Sequence, residues 1–420
     1  MGAELPALSA VVARLPNPVI NLAAYGGVVF PLALIIESPI IMLLAASTAL
    51  CQDWASYRKL YRFMMLAGAA LTAVHVLVAF TPLYYVVVRG ILGVPEAIVE
   101  PARIGLMIMT PWTWSIAYRR FQQGVLIRFG HSRKVGVGTL LRLSADLVVL
   151  GIGYMIGTIQ GIVVATAAVA TGVIVEAIYA GLAVRPVLRD ELSVAPIVQP
   201  PLTYRAFYAF YTPLVFTSLL VLLALPIGSA ALSRMPQPVN SLAVWPVVTG
   251  LVFMVRGLGI AFNEVVVALL DERGSSHNLA RFTWLLAAGT SLILLLLAAT
   301  PLSTFWFRRV SALSPTLADL AVAGLWITLP MPALNAFQSW FQGSILHSRR
   351  TRGITESVVV YLATSAIILT AGVSWGQVPG LYVGLAGLVF STLTQTAWLW
   401  YRSRPARAAV RTRDAQLIRY

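Results

Sequence analysis

Two charges stand where charge is expensive. Glu37 lies inside the run LALIIESPIIMLL and Arg256 inside VFMVRGLGIAF, each near the middle of a long apolar stretch. Ionised groups at that depth in hydrocarbon need a partner, and they mark a substrate site, a coupling-ion site or a gate unless they form a static buried pair. Arginine stays protonated, so Arg256 must hold Glu37, another acid or an anionic group of a substrate. An anion that displaces Glu37 from Arg256 frees the carboxylate to take up a proton, whereas a cationic substrate would compete for Glu37 or Glu264. The first arrangement points to an organic or phosphorylated anion.

Other residues extend the pattern. Glu264 follows Arg256 by eight residues, about two helical turns, so with Asn263 it either lengthens a polar cavity wall or reaches the cytoplasmic interface near Asp271. Glu176 comes late in its apolar run, as a candidate proton acceptor or an acid approaching water. Arg142 and Asp146 are spaced i, i+4 and read as a structural ion pair. Trp112, Trp114, Tyr118 and Phe121 either line a cavity for an amphipathic substrate or pack helices and interfaces. Gly153, Gly157 and Gly161 recur every four residues, as close helix packing or a tight turn requires.

Catalytic chemistry finds little support. No Ser-His-Asp order or nucleophile elbow is present. The only lysines, Lys59 and Lys134, lie outside any phosphate-cradling Gly-rich loop. His75, His131, His277 and His347 lack ligand spacing, and Cys51 is the single cysteine, so neither a metal site nor an intrachain disulfide is expected. No catalytic residue and no cofactor are assigned.

The elements that must position these residues are membrane helices. Hydrophobic residues make up 59% of the chain and charged residues 11%, with a mean hydropathy of +0.83, and the apolar runs lack the period-two alternation of a barrel. Spans are expected near 21–50, 60–82, 98–118, 136–156 and 161–183, and again near 207–233, 240–270, 280–302, 317–346, 355–373 and 380–401. The net charge of +15 is read as topology rather than nucleic-acid binding. Arg58, Lys59, Arg62, Arg119, Arg120, Arg128, Arg133, Lys134, Arg185, Arg189, Arg205, Arg273, Arg281, Arg349, Arg350, Arg352 and the tail Arg402 to Arg419 fall in one set of connections. Only Arg14, Arg89, Arg103, Arg234, Arg308 and Arg309 fall in the other. The positive-inside rule then puts the first set and both termini in the cytoplasm, with anionic lipid against that face and the chain in the cytoplasmic (inner) membrane.

The chain repeats itself. RLPNPVINLAAY from Arg14 and RMPQPVNSLAVW from Arg234 share six of twelve positions. Further on, at an offset of 219 after one deletion between Tyr25 and Ala49, Leu60, Arg62 and Phe63 match Leu279, Arg281 and Phe282; Thr81-Pro-Leu matches Thr300-Pro-Leu; Pro111 matches Pro330; and Gln123-Gly124 match Gln342-Gly343. At that offset Glu37 corresponds to Arg256. The expected fold is an all-α polytopic membrane protein of two six-helix lobes related by a pseudo-two-fold axis along the membrane normal. The lobes would be 1–184 and 207–401, joined by a cytoplasmic connection 185–206, with a basic cytoplasmic tail at 402–420. The run before Arg14 is 13 residues, about 20 Å of helix against a core about 30 Å thick, so the first helix is expected to be truncated. Met1 would then be internal to a longer reading frame, or half a helix has been lost. Repeats of this kind mark transporters whose site lies between lobes that rock.

The segment PWTWSIAYRRFQQGVLI from Pro111, its echo PMPALNAFQSWFQGSIL from Pro330, and the long Pro-rich lead into the second half resemble the multidrug/oligosaccharidyl-lipid/polysaccharide (MOP) transporter superfamily over nearly the whole chain. Its members include the multidrug and toxic compound extrusion (MATE) antiporters, flippases for lipid II and lipid-linked oligosaccharides, and the progressive ankylosis exporters of pyrophosphate and related anions. The resemblance implies a secondary active transporter, an antiporter working by alternating access on an organic or amphipathic solute and coupled to H+ or Na+. Its flippase branch implies instead a lipid-linked oligosaccharide or phospholipid-like substrate. MATE exporters commonly carry a coupling acid in the first helix, where this chain has only Glu4. A lipid-modifying intramembrane enzyme and a structural membrane protein are the alternatives of another class.

Overall fold

The computed structural model describes residues 4–270, 272, 274–348 and 352–417, and among them every regular element is a helix. Asp271, Arg273, Arg349, Arg350 and Arg419 lie outside the described residues. The first half runs α1 Glu4–Val12, α2 Pro18–Leu50, α3 Trp54–Phe80, the short α4 Leu83–Leu92, α5 Glu96–Ile108, α6 Thr110–Arg128, α7 Ser132–Ile156 and α8 Gly161–Leu192. The second half repeats this order. It runs α9 Tyr204–Ser233, α10 Pro238–Leu269, α11 Ser275–Ala299, the short α12 Leu302–Phe305, α13 Pro315–Ile327, α14 Met331–His347, α15 Arg352–Trp375 and α16 Gly380–Leu417. Eight described helices are long and apolar enough to cross a membrane, and α13 and α14 add a pair bent by 42°. The chain is thus a multi-pass integral membrane protein.

By packing, the chain divides into two compact units, Ala7–Ser233 and Arg234–Tyr420, apart from a few residues at the N-terminus. The first unit therefore includes α9, which belongs by sequence to the second repeat. Phe207 and Tyr211 of α9 pack edge-on against Phe63 of α3, and the Tyr211 hydroxyl donates to the Pro39 carbonyl of α2. Repeat boundary and packing boundary differ by one helix.

The single span expected over 98–118 is broken. Helix α5 ends at Met109, with ψ near 0°, and α6 restarts through Pro111. Proline cannot supply the backbone donor that a continuous helix would need there, and its ring clashes with the carbonyl four residues back. Restarted, α6 runs on to Arg128, ten residues past the expected end, and carries Arg119 and Arg120 into the unit instead of leaving them in a cytoplasmic loop.

The doubled passage is a turn with a task. Asn17 and Gln237, each between two prolines, adopt left-handed conformations with φ of 52° and 54°, and Pro18 and Pro238 then start α2 and α10, where the missing N–H costs nothing. In the second unit this turn seats the last helix. Gly380 N–H donates to the Pro236 carbonyl at 3.1 Å and Leu381 N–H to Ser241 Oγ at 3.0 Å. In the first unit Gly161 plays the same part, since a Cβ there would lie 2.8 Å from Val12 Cγ1 and 3.3 Å from Asn21 Cβ.

The deletion between the copies also has a physical location. Helix α2 contains a π-helical turn over Tyr25–Val29, whereas α10 is α-helical throughout. Such a turn is how a helix absorbs one extra residue. Everything after Val29 is therefore in the 219 register, and Glu37 corresponds to Arg256. The Gln-Gly anchors agree. A Cβ on Gly124 would lie 2.4 Å from the Leu44 carbonyl and 1.9 Å from Ser47 Oγ, and one on Gly343 would lie 3.2 Å from the Asn263 carbonyl and 2.6 Å from Val266 Cγ1. Leu44 and Ser47 stand 219 before Asn263 and Val266.

At the other end of α3, Asp53 forms a capping box with Ser56, accepting its N–H at 2.8 Å, and its second oxygen accepts Val198 N–H from the inter-helix connection at 3.0 Å. Burial raises the Asp53 carboxyl, but the bonds from Ser56 and Val198 and the charge of Lys59 outweigh it, and the net shift is downward.

Two outcomes follow for stability. Gly124→Ala is expected to cost about 1–3 kcal/mol by forcing α6 off α2, while Gly136→Ala, where a Cβ meets nothing within 4 Å, is neutral or stabilising; thermal midpoints of the purified proteins compare them. Asp53→Ala is expected to cost about 1 kcal/mol at neutral pH. Because the folded carboxyl sits below its unfolded value of about 3.9, that difference from wild type is present above this pH and vanishes as the pH falls through the folded value, which midpoints taken on acidification would record.

Candidate functional site

Four helices of the first unit bring their charges to one place. Helix α6 presents Arg119, Arg120 and Gln123, α8 presents Glu176, α2 presents Glu37, and α7 presents Thr139, Arg142 and Asp146. The approach of α7 to α8 is close because Gly172 has no side chain: a Cβ there would lie 1.7 Å from Asp146 Oδ1 and 3.0 Å from the Arg142 carbonyl. On α6 the residues Trp112, Ser115, Ile116, Arg119, Gln122 and Gln123 are all buried, at the three- and four-residue spacing of one helix face.

Glu176 is the centre. It is fully buried, and Arg119, 2% exposed, pairs with it at 2.5 Å through Nη1. Gln123 Nε2 donates to its other oxygen at 2.9 Å, Thr139 Oγ1 to the same oxygen at 3.5 Å, and Arg142 Nη1 lies 3.9 Å from Oε2. Arg142 Nε also stands 3.9 Å from Asp146 Oδ2, so the i, i+4 pair read from sequence is one edge of a larger network. Glu37, 3% exposed, meets the field of Arg120 most strongly, then of Arg119 and Arg142. Three guanidinium groups thus face three carboxylates, and the formal charges cancel.

The network is not fully satisfied. Glu37 Oε2, Arg119 Nε and Arg120 Nε are buried with no hydrogen-bond partner. Buried polar atoms are nearly always bonded, so these atoms keep the capacity for a further polar partner.

The second unit repeats this site with different chemistry. At the 219 register Arg119 becomes Gln338, Glu176 becomes Gln395, Arg142 becomes Tyr361 and Glu37 becomes Arg256. The helix-to-helix bond survives the exchange: Gln338 Nε2 donates to Gln395 Oε1 at 3.0 Å, and Asn335 Nδ2 donates to Gln338 Oε1 at 3.2 Å. The neighbour that acts on Arg256 is Tyr361, as Arg142 acts on Glu37. The Phe253 ring lies 5.8 Å from the guanidinium. Arg256 Nε is buried without a partner, and among the described residues of this unit no carboxylate lies at ion-pair distance from it.

The remaining expected residues divide. Asn263 is half-buried with Oδ1 unpartnered, and Glu264 is exposed on the same helix. Trp114 and Tyr118 stack at 5.3 Å and line a groove of about 310 Å³ with Ile174, Ile178, Leu182 and Arg185. Trp112 instead points into the unit, buried. His75 is held between Thr113 Oγ1 at 2.8 Å and the Leu106 carbonyl at 2.9 Å, and no group of residues among those described could hold a metal ion.

Sequence reading missed Arg119, Arg120, Gln123, Tyr361, Gln338 and Gln395. A signal was present: Arg119 and Gln123, like Gln338 and Gln342, stand i, i+4 in both copies, and a loop has no reason to keep a helical spacing. The second unit also supplies the test. Arg119→Gln or Glu176→Gln alone is expected to cost about 3–5 kcal/mol by stranding a buried charge. The double variant, which copies the Gln338–Gln395 bond, is expected to recover most of that loss in a double-mutant cycle of thermal midpoints.

No family model and no curated protein matches the sequence. Solved structures do. A multidrug-resistance MATE-family transporter of the MOP superfamily, in an inward-facing conformation, superposes with a TM-score of 0.73 at 14% identity, covering 97% of this chain and 96% of that one. The lipid II flippase MurJ in an inward closed conformation gives 0.74 at 12% identity, covering 97% and 88%. A MOP-superfamily transporter from Pyrococcus furiosus, described by the reverse polarity of its binding pocket, gives 0.63 at 15% identity, covering 98% and 95%. The chain has the fold of MOP-superfamily transporters.

Proposed function

We propose that this chain is a secondary active transporter that moves an organic or amphipathic anion across the membrane by alternating access, with proton coupling in its first half. Arg256 carries the reading. It occupies the place that Glu37 holds in the other repeat, it is always charged, and its own unit offers it a phenol rather than a carboxylate. The neutralising group is therefore sought on the substrate, with Asn263 as a further wall of the site. The repeated order of elements supports two six-helix lobes, 1–184 and 207–401, joined through 185–206 and related by an axis along the membrane normal. Both termini are then cytoplasmic and the chain resides in the inner membrane.

Glu37 is the proton acceptor in this scheme. Its Oε2 lacks a donor, so it can take a proton without breaking a hydrogen bond, and the arginines around it repel a sodium ion more than they hinder transient neutralisation. Glu176, already engaged by Arg119 and Gln123, is the fixed anchor. The high structural likeness to a lipid II flippase favours one second reading, in which the anion is carried on a lipid.

Reconstituted protein tested against organic anions, lipid-linked anions and lipophilic cations under imposed gradients separates these. Arg256→Gln is expected to lower anion flux about thirtyfold or more, as for removal of one member of a buried charge pair, with the thermal midpoint retained. Glu37→Gln is expected to flatten the pH dependence of flux while sodium has no effect in either protein. Undiminished anion transport by Arg256→Gln, or robust export of lipophilic cations by the wild type, would reverse the assignment.

A further inference from the structure

The groove between α6 and α8 is not used by the transport reading, and its shape is specific. Its walls are aromatic and aliphatic: the stacked Trp114 and Tyr118 on one side, with their planes 14° apart, and Ile174, Ile178 and Leu182 on the other. Gly181 makes the fit possible. A Cβ there would lie 2.6 Å from Tyr118 Oη and 2.9 Å from its Cε1, so any larger residue would push the ring into the groove. Ser115 adds no free donor, because its hydroxyl is bonded to the Pro111 carbonyl at 2.9 Å.

One end of the groove is charged. Arg185 lies on its rim, exposed, and the acids that follow it on α8 are engaged elsewhere, Asp190 with Arg189 at 3.8 Å and Glu191 with His131 at 2.7 Å. From Ile174 to Arg185 the helix rises about 16 Å, which matches the half-thickness of a hydrocarbon core of about 30 Å. An apolar channel one leaflet deep that ends at a cation is complementary to one kind of molecule.

We infer that this groove seats an anionic phospholipid of the cytoplasmic leaflet, its phosphate on Arg185 and an acyl chain along Ile174, Ile178 and Leu182 beneath the Trp114–Tyr118 stack. A zwitterionic lipid fits the channel equally but brings its own cation to Arg185. The anionic headgroup is therefore selected at one end only. The site lies against α6 and α8, the helices joined by Arg119 and Glu176, so its occupant braces that pair.

Trp114 is a built-in reporter. The full-length protein is placed in vesicles of phosphatidylcholine that contain the same mole fraction of chain-brominated phosphatidylglycerol or chain-brominated phosphatidylcholine. Quenching is read as the difference between wild type and Trp114→Phe. The expected result is preferential quenching by the brominated anionic lipid, corresponding to about fivefold higher occupancy for one added cation–anion contact. Arg185→Gln removes that preference while leaving quenching by both lipids at the lower level, and Gly181→Val reduces quenching by both. Equal quenching of the wild type by the two lipids would overturn the inference in favour of bulk bilayer at this face, as would a preference that survives Arg185→Gln. Absence of Trp114 quenching in a folded protein would overturn it in favour of a non-lipid occupant. The readout does not depend on transport.

Discussion

A buried guanidinium locked to a buried carboxylate is the constraint on which the first half of this protein is organised. Arg119 and Glu176 have exchanged water for one another, and removing either leaves a charge the apolar interior cannot solvate. That requirement fixes the rotation of α6 about its axis and therefore the positions of Arg120 toward Glu37 and of Gln123 toward Glu176. It also explains why glycine stands where α7 and α8 meet, since Arg142, with Asp146 beside it, must come within reach of Glu176. The second half keeps the geometry and discards the charge: two amides make the same helix-to-helix bond at 3.0 Å. Amides carry no net charge, so that half can hold a lone Arg256 without a second ionic network to compete for it.

The two halves are thus one scaffold with opposite electrostatic assignments. In the first, acids and bases are matched in one buried network. In the second, one permanent cation faces a phenol, and amides take the places of Arg119 and Glu176. A repeated order of helices supplies both at once, because each position keeps its place on its helix and only the side-chain chemistry has to change.

Much of this was legible in the sequence. Helical membrane class follows from hydropathy, the repeated order of elements and its register from matched residues at one offset, and the placing of Glu37 and Arg256 within helices from the apolar runs around them. What failed was the reading of Arg119 and Arg120. Two adjacent arginines after an apolar run look like the end of a span, and hydropathy counts them without asking which face they occupy. The partners that make their burial possible, Glu176 and Glu37, are far away along the chain, so no local window contains the information. The break at Met109 misled in the same way, because Pro111 ends one helix and begins another within a stretch of uniform composition. The π-helical turn at Tyr25–Val29 was visible only as an unplaced deletion, and a gap placed after Glu37 would have set that acid against Gly257 rather than Arg256.

Helix α9 belongs to the second repeat in sequence and to the first unit in packing. During synthesis, the first unit is consequently incomplete when the first copy of the repeat has been made; it closes only after Ser233 has left the ribosome and α9 has settled against Phe63 and Pro39. Until then the face of α2 and α3 that will receive Phe207 and Tyr211 is open to lipid or to the insertion machinery. The connection from Leu192 to Tyr204, tied to α3 by Asp53, is what delivers α9 to that face, and the order of translation becomes part of how the fold is assembled.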